Sequence, residues 1–135
     1  MAELKPELSI KNRYWLPRHR YYELRHFCLQ YPEWKRLYFK LDSQVVKFPG
    51  GVFTDKRIKR PVESLGIMRE ELSKNMRLIE KLCKEADKDL APYIFKAVTE
   101  GSSYTQLSGV YKIPCGKDMF YDRYRKFFWL LSGER

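Results

Sequence analysis

"PVESLGIMREELSKNMRLIEKLCKEA", residues 61–86, is the most regular stretch of the chain and sets its fold class. Leu65, Met68, Leu72, Met76, Ile79, Leu82 and Ala86 recur at steps of three and four, the spacing of one buried face on an α-helix. Pro61 stands where a first helical turn tolerates proline. The opposite face carries Arg69, Glu70, Glu71, Lys74, Arg77, Glu80, Lys81 and Lys84, with Glu70 to Lys74 and Glu80 to Lys84 spaced for i,i+4 pairing. A scaffold helix is expected here, with a dimerisation seam as the competing use of its apolar face.

The same periodicity extends outward in both directions. In the basic, aromatic segment 12–41, Pro17 fits the first turn of a helix, and Leu24, Phe27, Cys28 and Tyr31 follow at helical steps. Pro32 restarts or kinks that helix, and Trp34, Leu37, Tyr38 and Leu41 continue the stripe. Downstream, Asp87 or Asp89 is positioned to cap a helix bearing Leu90, Tyr93, Ile94, Ala97 and Val98, which Gly101 ends. Ser102 or Ser103 caps a short helix with Tyr104, Leu107, Val110 and Tyr111. A last helix starts near Gly116, presents Phe120, Tyr124, Phe127, Phe128 and Leu131, and reaches a cap at Gly133. Only residues 42–60, "DSQVVKFPGGVFTDKRIKR", break the pattern: two β-favouring runs flank Pro49, Gly50 and Gly51, so a loop or a small hairpin near 44–54 is expected. The fold expected is an all-α bundle of about five to six helices in one domain, with residues 87–133 forming a trihelical unit like a helix-turn-helix.

Charge bounds the function. The 135 residues carry a net charge of +10, unevenly spread. Lysines and arginines number nine against four acids in residues 1–40, five against two in 41–60, seven against eight in 61–100, and six against three in 101–135. Basic regions on both sides of a balanced helix suit a polyanion such as DNA, whose counterions are released when its phosphates are neutralised. No apolar run approaches the ~20 residues that span a bilayer, and the N-terminus lacks the order of a signal peptide, so a cytoplasmic protein with no membrane partner is expected. Cys28, Cys83 and Cys115 form no CxxC pair and are expected as reduced thiols. His19 and His26, with Cys28 nearby, lack a fourth metal ligand, and no Walker loop, GxSxG elbow or HExxH helix occurs. Neither enzyme activity nor a cofactor is expected.

The stretch "GSSYTQLSGVYKIPCGKDMFYDRYRKFF", residues 101–128, resembles the C-terminal helix-turn-helix of bacteriophage late transcriptional regulators of the RinA and ArpU type, which are similar to region four of sigma factors. The resemblance implies Leu107 and Ile113 as core anchors, Ser108 as the small residue where two helices cross, and a recognition helix from Gly116 onward. "NRYWLPRHRYYELRHFCLQYPEW", residues 12–34, resembles small proteins encoded in prophages of gut Firmicutes.

Lys117, Tyr121, Arg125 and Lys126 are the expected DNA contacts on the last helix, beside outward-facing Asp118, Asp122 and Trp129. Asp122 and Lys126 are spaced to pair with each other. The run Lys56, Arg57, Lys59 and Arg60 is a candidate arm along the phosphate backbone. Arg13, Tyr14, Trp15, Arg18, Arg20 and Tyr21 form a basic-aromatic cluster suited either to nucleic acid or to a protein such as host RNA polymerase. Three functions are compatible with this pattern: a phage or prophage regulator on double-stranded DNA, a small terminase subunit, or an adaptor or inhibitor of a host or rival-phage protein. The oligomeric state stays open.

Overall fold

The computed structural model describes residues 12–47 and 61–135, and the side chains of 12–41 and 65–135 among them. The described residues are all-helical, with no strand among them: α1 Arg18–Leu29, α2 Tyr31–Lys47, α3 Pro61–Ala86, α4 Ala91–Glu100, α5 Tyr104–Ser108 and α6 Lys117–Glu134. A hairpin over 44–54 is not shown. Residues 44–47 form the last turn of α2, where an established helix overrides the strand preference of Val45 and Val46; the rest of that stretch lies outside the described residues. By their contacts the described residues divide into two units. The first holds the residues up to Gln30 and Ile79–Arg135, the second those of Tyr31–Leu78, so α3 contributes to both.

In the first unit, α1 contacts α4 and α6, and α4, α5 and α6 contact one another. Each helix begins or ends where local chemistry dictates. Pro17 is the N-cap of α1, whose Tyr21, Leu24, Phe27 and Cys28 turn inward. Gly101 closes α4 in the left-handed conformation, φ 74°, where a side chain would be strained, and its N–H donates to the Ala97 carbonyl at 3.1 Å. Gly116 is the N-cap of α6. Gly133 is not a cap: α6 continues through it to Glu134, with no positive φ to require a glycine there.

The centre of this unit is aromatic. Tyr21, Phe120, Phe127 and Phe128 are fully buried, and Tyr124 nearly so. Phe128 meets the ring of Tyr21 at 5.2 Å and that of Tyr124 at 5.0 Å, both edge-on, the arrangement that ring quadrupoles favour. Each such ring contributes about 1.5–3 kcal/mol by burial. Inside this cage the hydroxyls of Tyr21 and Tyr124 share a hydrogen bond of 2.9 Å. Burial, with the Tyr21 hydroxyl adding to it, pushes the Tyr124 hydroxyl well above the usual phenol range.

In the second unit, Trp34 and Leu41 of α2 and Leu65 and Leu72 of α3 are buried. Arg69 of α3 lies over the ring of Tyr38 on α2, 5.0 Å from its centroid. Met68 and Leu37, expected on the buried stripes, are exposed instead, together with Phe39 and Ile67.

Two measurements check the tyrosine pair. Tyr21→Phe strands the Tyr124 hydroxyl and is expected to cost about 1–3 kcal/mol in urea unfolding, whereas Tyr21→Phe with Tyr124→Phe costs less than the two singles combined. The native state also keeps the Tyr124 proton above the pH near 10 at which an unfolded tyrosine releases it. That contribution is therefore complete below about pH 10 and is lost as pH rises further; Tyr124→Phe is expected to flatten the alkaline fall in stability.

Candidate nucleic-acid interface

Two tyrosines join α5 to α6. A capping box starts α5: the Ser103 hydroxyl accepts from the Gln106 N–H at 3.2 Å, and the Ser103 N–H donates to Gln106 Oε1 at 2.9 Å. The next residue, Tyr104, donates its N–H to the Tyr121 hydroxyl at 3.1 Å and its own hydroxyl to the Cys115 carbonyl at 2.7 Å. Its ring packs 5.5 Å from that of Phe120. Tyr121, expected at DNA, thus satisfies an otherwise open N–H at the start of α5. Leu107 is buried and Ile113 half-buried. Ser108 is exposed, with its hydroxyl donating to Thr105 O at 3.1 Å, so it is not the buried small residue of a helix crossing. Residues 109–116 separate α5 from α6, a longer connection than the three or four residues of a compact helix-turn-helix.

The outward face of α6 is mixed. Lys117 and Asp118 are exposed in the first turn, Arg125 and Lys126 are half-buried, and Met119 (45 %) and Trp129 (46 %) are the exposed apolar groups. Both carboxylates on this face have a local role. Asp118 sits where the helix dipole favours negative charge. Asp122 pairs with neighbouring Arg123, not with Lys126, and Arg123 Nε also donates to Asp87 Oδ2 at 3.2 Å. Asp87 Oδ1 in turn accepts from the N–H groups of Asp89 and Leu90 at 2.9 and 3.1 Å, shaping the turn into α4. Arg123 therefore ties α6 to the start of α4.

The N-terminal cluster divides between core and surface. Tyr14 is buried, its N–H donating to Asn12 Oδ1 at 2.8 Å and its ring 5.8 Å from that of Trp129 on α6. Tyr21 is fully buried. Neither ring is open to a partner, and both fail as the contacts expected from the sequence. Arg20 is likewise engaged: it pairs with Glu23, and its guanidinium donates to Ser132 Oγ and Ser132 O at 3.2 and 3.1 Å, a cation at the C-terminal end of α6. Trp15 is half-buried and Arg18 exposed. The Arg13 guanidinium lies 4.7 Å over the Tyr14 ring. Arg13 and Trp129 thus both lie against the Tyr14 ring, and Arg125 lies one helical turn before Trp129 on α6. Two regions that are remote in sequence thus form one surface. The signal for Tyr21 was present, since it extends the Leu24, Phe27, Cys28 stripe back by one turn; no local pattern announces the Arg20–Ser132 contact.

Lys56, Arg57, Lys59 and Arg60 lie outside the described residues. Among the described residues no group of three histidines, cysteines or carboxylates could hold a metal ion, and no helix is long and apolar enough to cross a membrane. The three cysteines are free thiols, Cys28 and Cys83 buried and Cys115 half-buried. No family model matches the chain, and no match is found among curated proteins or solved structures.

Two tests address this geometry. Tyr121→Phe removes the acceptor for the Tyr104 N–H and is expected to lower unfolding stability by about 0.5–1.5 kcal/mol. Burial raises all three thiols above their usual range, with Asp87 adding to the effect at Cys115 and Glu80 at Cys83. Since the thiolate is the reactive form, iodoacetamide at pH 8 is expected to label Cys115 first and more slowly than a free thiol, and Cys28 and Cys83 only on unfolding.

Proposed function

We propose that this protein binds double-stranded DNA through the joint surface of α6 and the N-terminal segment, as a non-catalytic phage or prophage regulator of late transcription. The observation that supports it is the Tyr14–Trp129 contact, which brings the N-terminal segment carrying Arg13 against α6. Four cations on this side, Arg13, Lys117, Arg125 and Lys126, face phosphates, while Trp129 offers an aromatic surface to sugar or base edges. Asp122, one helical turn before Lys126, is engaged by Arg123, which weakens its repulsion of phosphate. The resemblance of residues 101–128 to the RinA and ArpU regulators agrees with this role, although the long α5–α6 connection implies that α6 meets DNA in a geometry different from a compact helix-turn-helix. Cytoplasmic action on the host's DNA, without a cofactor, follows from the same reading.

A protein partner such as host RNA polymerase is the second reading, and exposed Trp129 and Met119 favour it, since aromatic and methionine side chains are enriched at protein interfaces. Fluorescence anisotropy on a labelled duplex separates the two. Four phosphate contacts predict that log K falls with log[salt] at a slope of about −3 to −4. Arg125→Glu with Lys126→Glu is expected to weaken binding at least about tenfold and to flatten that slope by about two, and Arg13→Glu to flatten it by about one. Unchanged duplex binding in these variants would remove α6 from the proposal, and no duplex binding at low salt would leave the protein-partner reading.

A further inference from the structure

Residues 87–90 alone separate α3 from α4, yet α4 packs mainly on α1, α5 and α6. Between the end of α3 and α4 lies a cavity of about 740 Å³, all of whose lining residues belong to the first unit. Its floor is apolar: buried Cys83 and Ala91 carry side chains too small to fill the space, and half-buried Phe95 and exposed Pro92 continue it toward solvent. Small-molecule sites have volumes of roughly 300–1,000 Å³, with apolar walls and a few placed polar groups. This cavity has that size and that kind of floor.

The rim supplies the polar groups. Lys84, in the last turn of α3, and Lys88, in the turn to α4, are exposed, and among the described residues neither makes an ion pair. Lysines so placed extend an apolar wall with their methylene stems and keep their ammonium groups at the water boundary. The third lysine of the lining, Lys96, is committed elsewhere: it pairs with Glu100 at 3.6 Å and lies 5.5 Å from the centroid of the Tyr111 ring. Glu80 lines the cavity one helical turn before Lys84 and further still from Lys88, whereas Glu85 and Asp89 stand outside the lining and Asp87 is held by Arg123. The end nearest the α3–α4 turn is therefore where an anion finds two ammonium groups in need of one.

We infer that this cavity binds a small amphiphilic anion, its apolar body against Cys83, Ala91 and Phe95 and its charged head between Lys84 and Lys88. A second copy of the chain is a poor occupant, because each copy carries a net charge of +10 and would set cations against cations. The lining comes from two short stretches, 80–88 and 91–96, the footprint of a small molecule and not of a partner's long helix. The site shares no residue with the α6 surface and goes beyond the DNA-binding role proposed above.

Titration of the ¹⁵N-labelled full chain with sodium decanoate, below its micelle threshold, tests it. Saturable shifts confined to residues 80–96 are expected. Decyltrimethylammonium, with the same tail and the opposite charge, and acetate, with a carboxylate and no tail, are each expected to bind at least about tenfold more weakly. Lys84→Glu with Lys88→Glu is expected to exchange the preference: decanoate weakens at least about tenfold, and decyltrimethylammonium becomes the tighter ligand. Both lysines are exposed, so the fold tolerates the change, and binding of the cationic probe shows that the apolar floor is intact. Arg125→Glu with Lys126→Glu is expected to leave decanoate binding unchanged, which separates this site from the α6 surface. Equal affinity for the two matched-tail probes, an unaltered preference in the Lys84→Glu, Lys88→Glu variant, or shifts spread over the whole chain overturn the site. Shifts at residues 80–96 that follow protein concentration with no probe added identify a second copy as the occupant, and overturn it equally.

Discussion

The hydrogen bond between the Tyr21 and Tyr124 hydroxyls is the constraint on which the first unit depends. Two hydroxyls buried among phenylalanines are unfavourable unless they satisfy each other. Apolar rings alone would tolerate a sliding contact between α1 and α6. The hydroxyl pair does not, because a slip of one turn would leave the Tyr124 hydroxyl buried without its partner. Register and rotation of α6 are thereby fixed together. With Phe120, Tyr124, Phe127 and Leu131 turned inward, Arg125, Lys126 and Trp129 have no direction left but outward. The candidate surface is the complement of the core, and the same bond determines both.

This coupling explains why parts of the molecule were legible in the sequence and parts were not. Helix positions follow from local rules, so Pro17, Gly101, Ser103 and Gly116 mark real boundaries. The apolar stripe of α6 is equally local. Tyrosine is different, because its ring and its hydroxyl suit a core and an interface alike. Tyr14 and Tyr21 both stand among arginines like contact residues; the apolar stripe of α1 marks Tyr21 as core, but only the Trp129 ring on α6, more than a hundred residues away, does so for Tyr14. Arg20 is the charged version of the same problem, since its partner Ser132 lies at the other end of the chain. The strand reading of 44–47 failed for the opposite reason: a four-residue β-favouring run cannot outweigh a helix already propagating through it.

Charge shows a similar division between what is counted and what is available. A net +10 treats every cation alike, yet Arg20 and Arg123 are committed to contacts that join helices, Lys96 pairs with Glu100 beside the Tyr111 ring, and Arg135 lies 3.8 Å over Phe27. Such cations carry long-range potential but cannot reorganise around a ligand without loosening the fold. Arg123 has a further effect, since by engaging Asp122 it leaves Lys126 without the i,i+4 partner expected for it.

What surrounds a cation decides what it can offer a partner. On α6, Arg125 lies a turn before exposed Trp129, whose ring packs on buried Tyr14, so these groups sit on a broad face and not in a cleft. A basic composition therefore becomes a surface only once the fold has assigned each cation its neighbours.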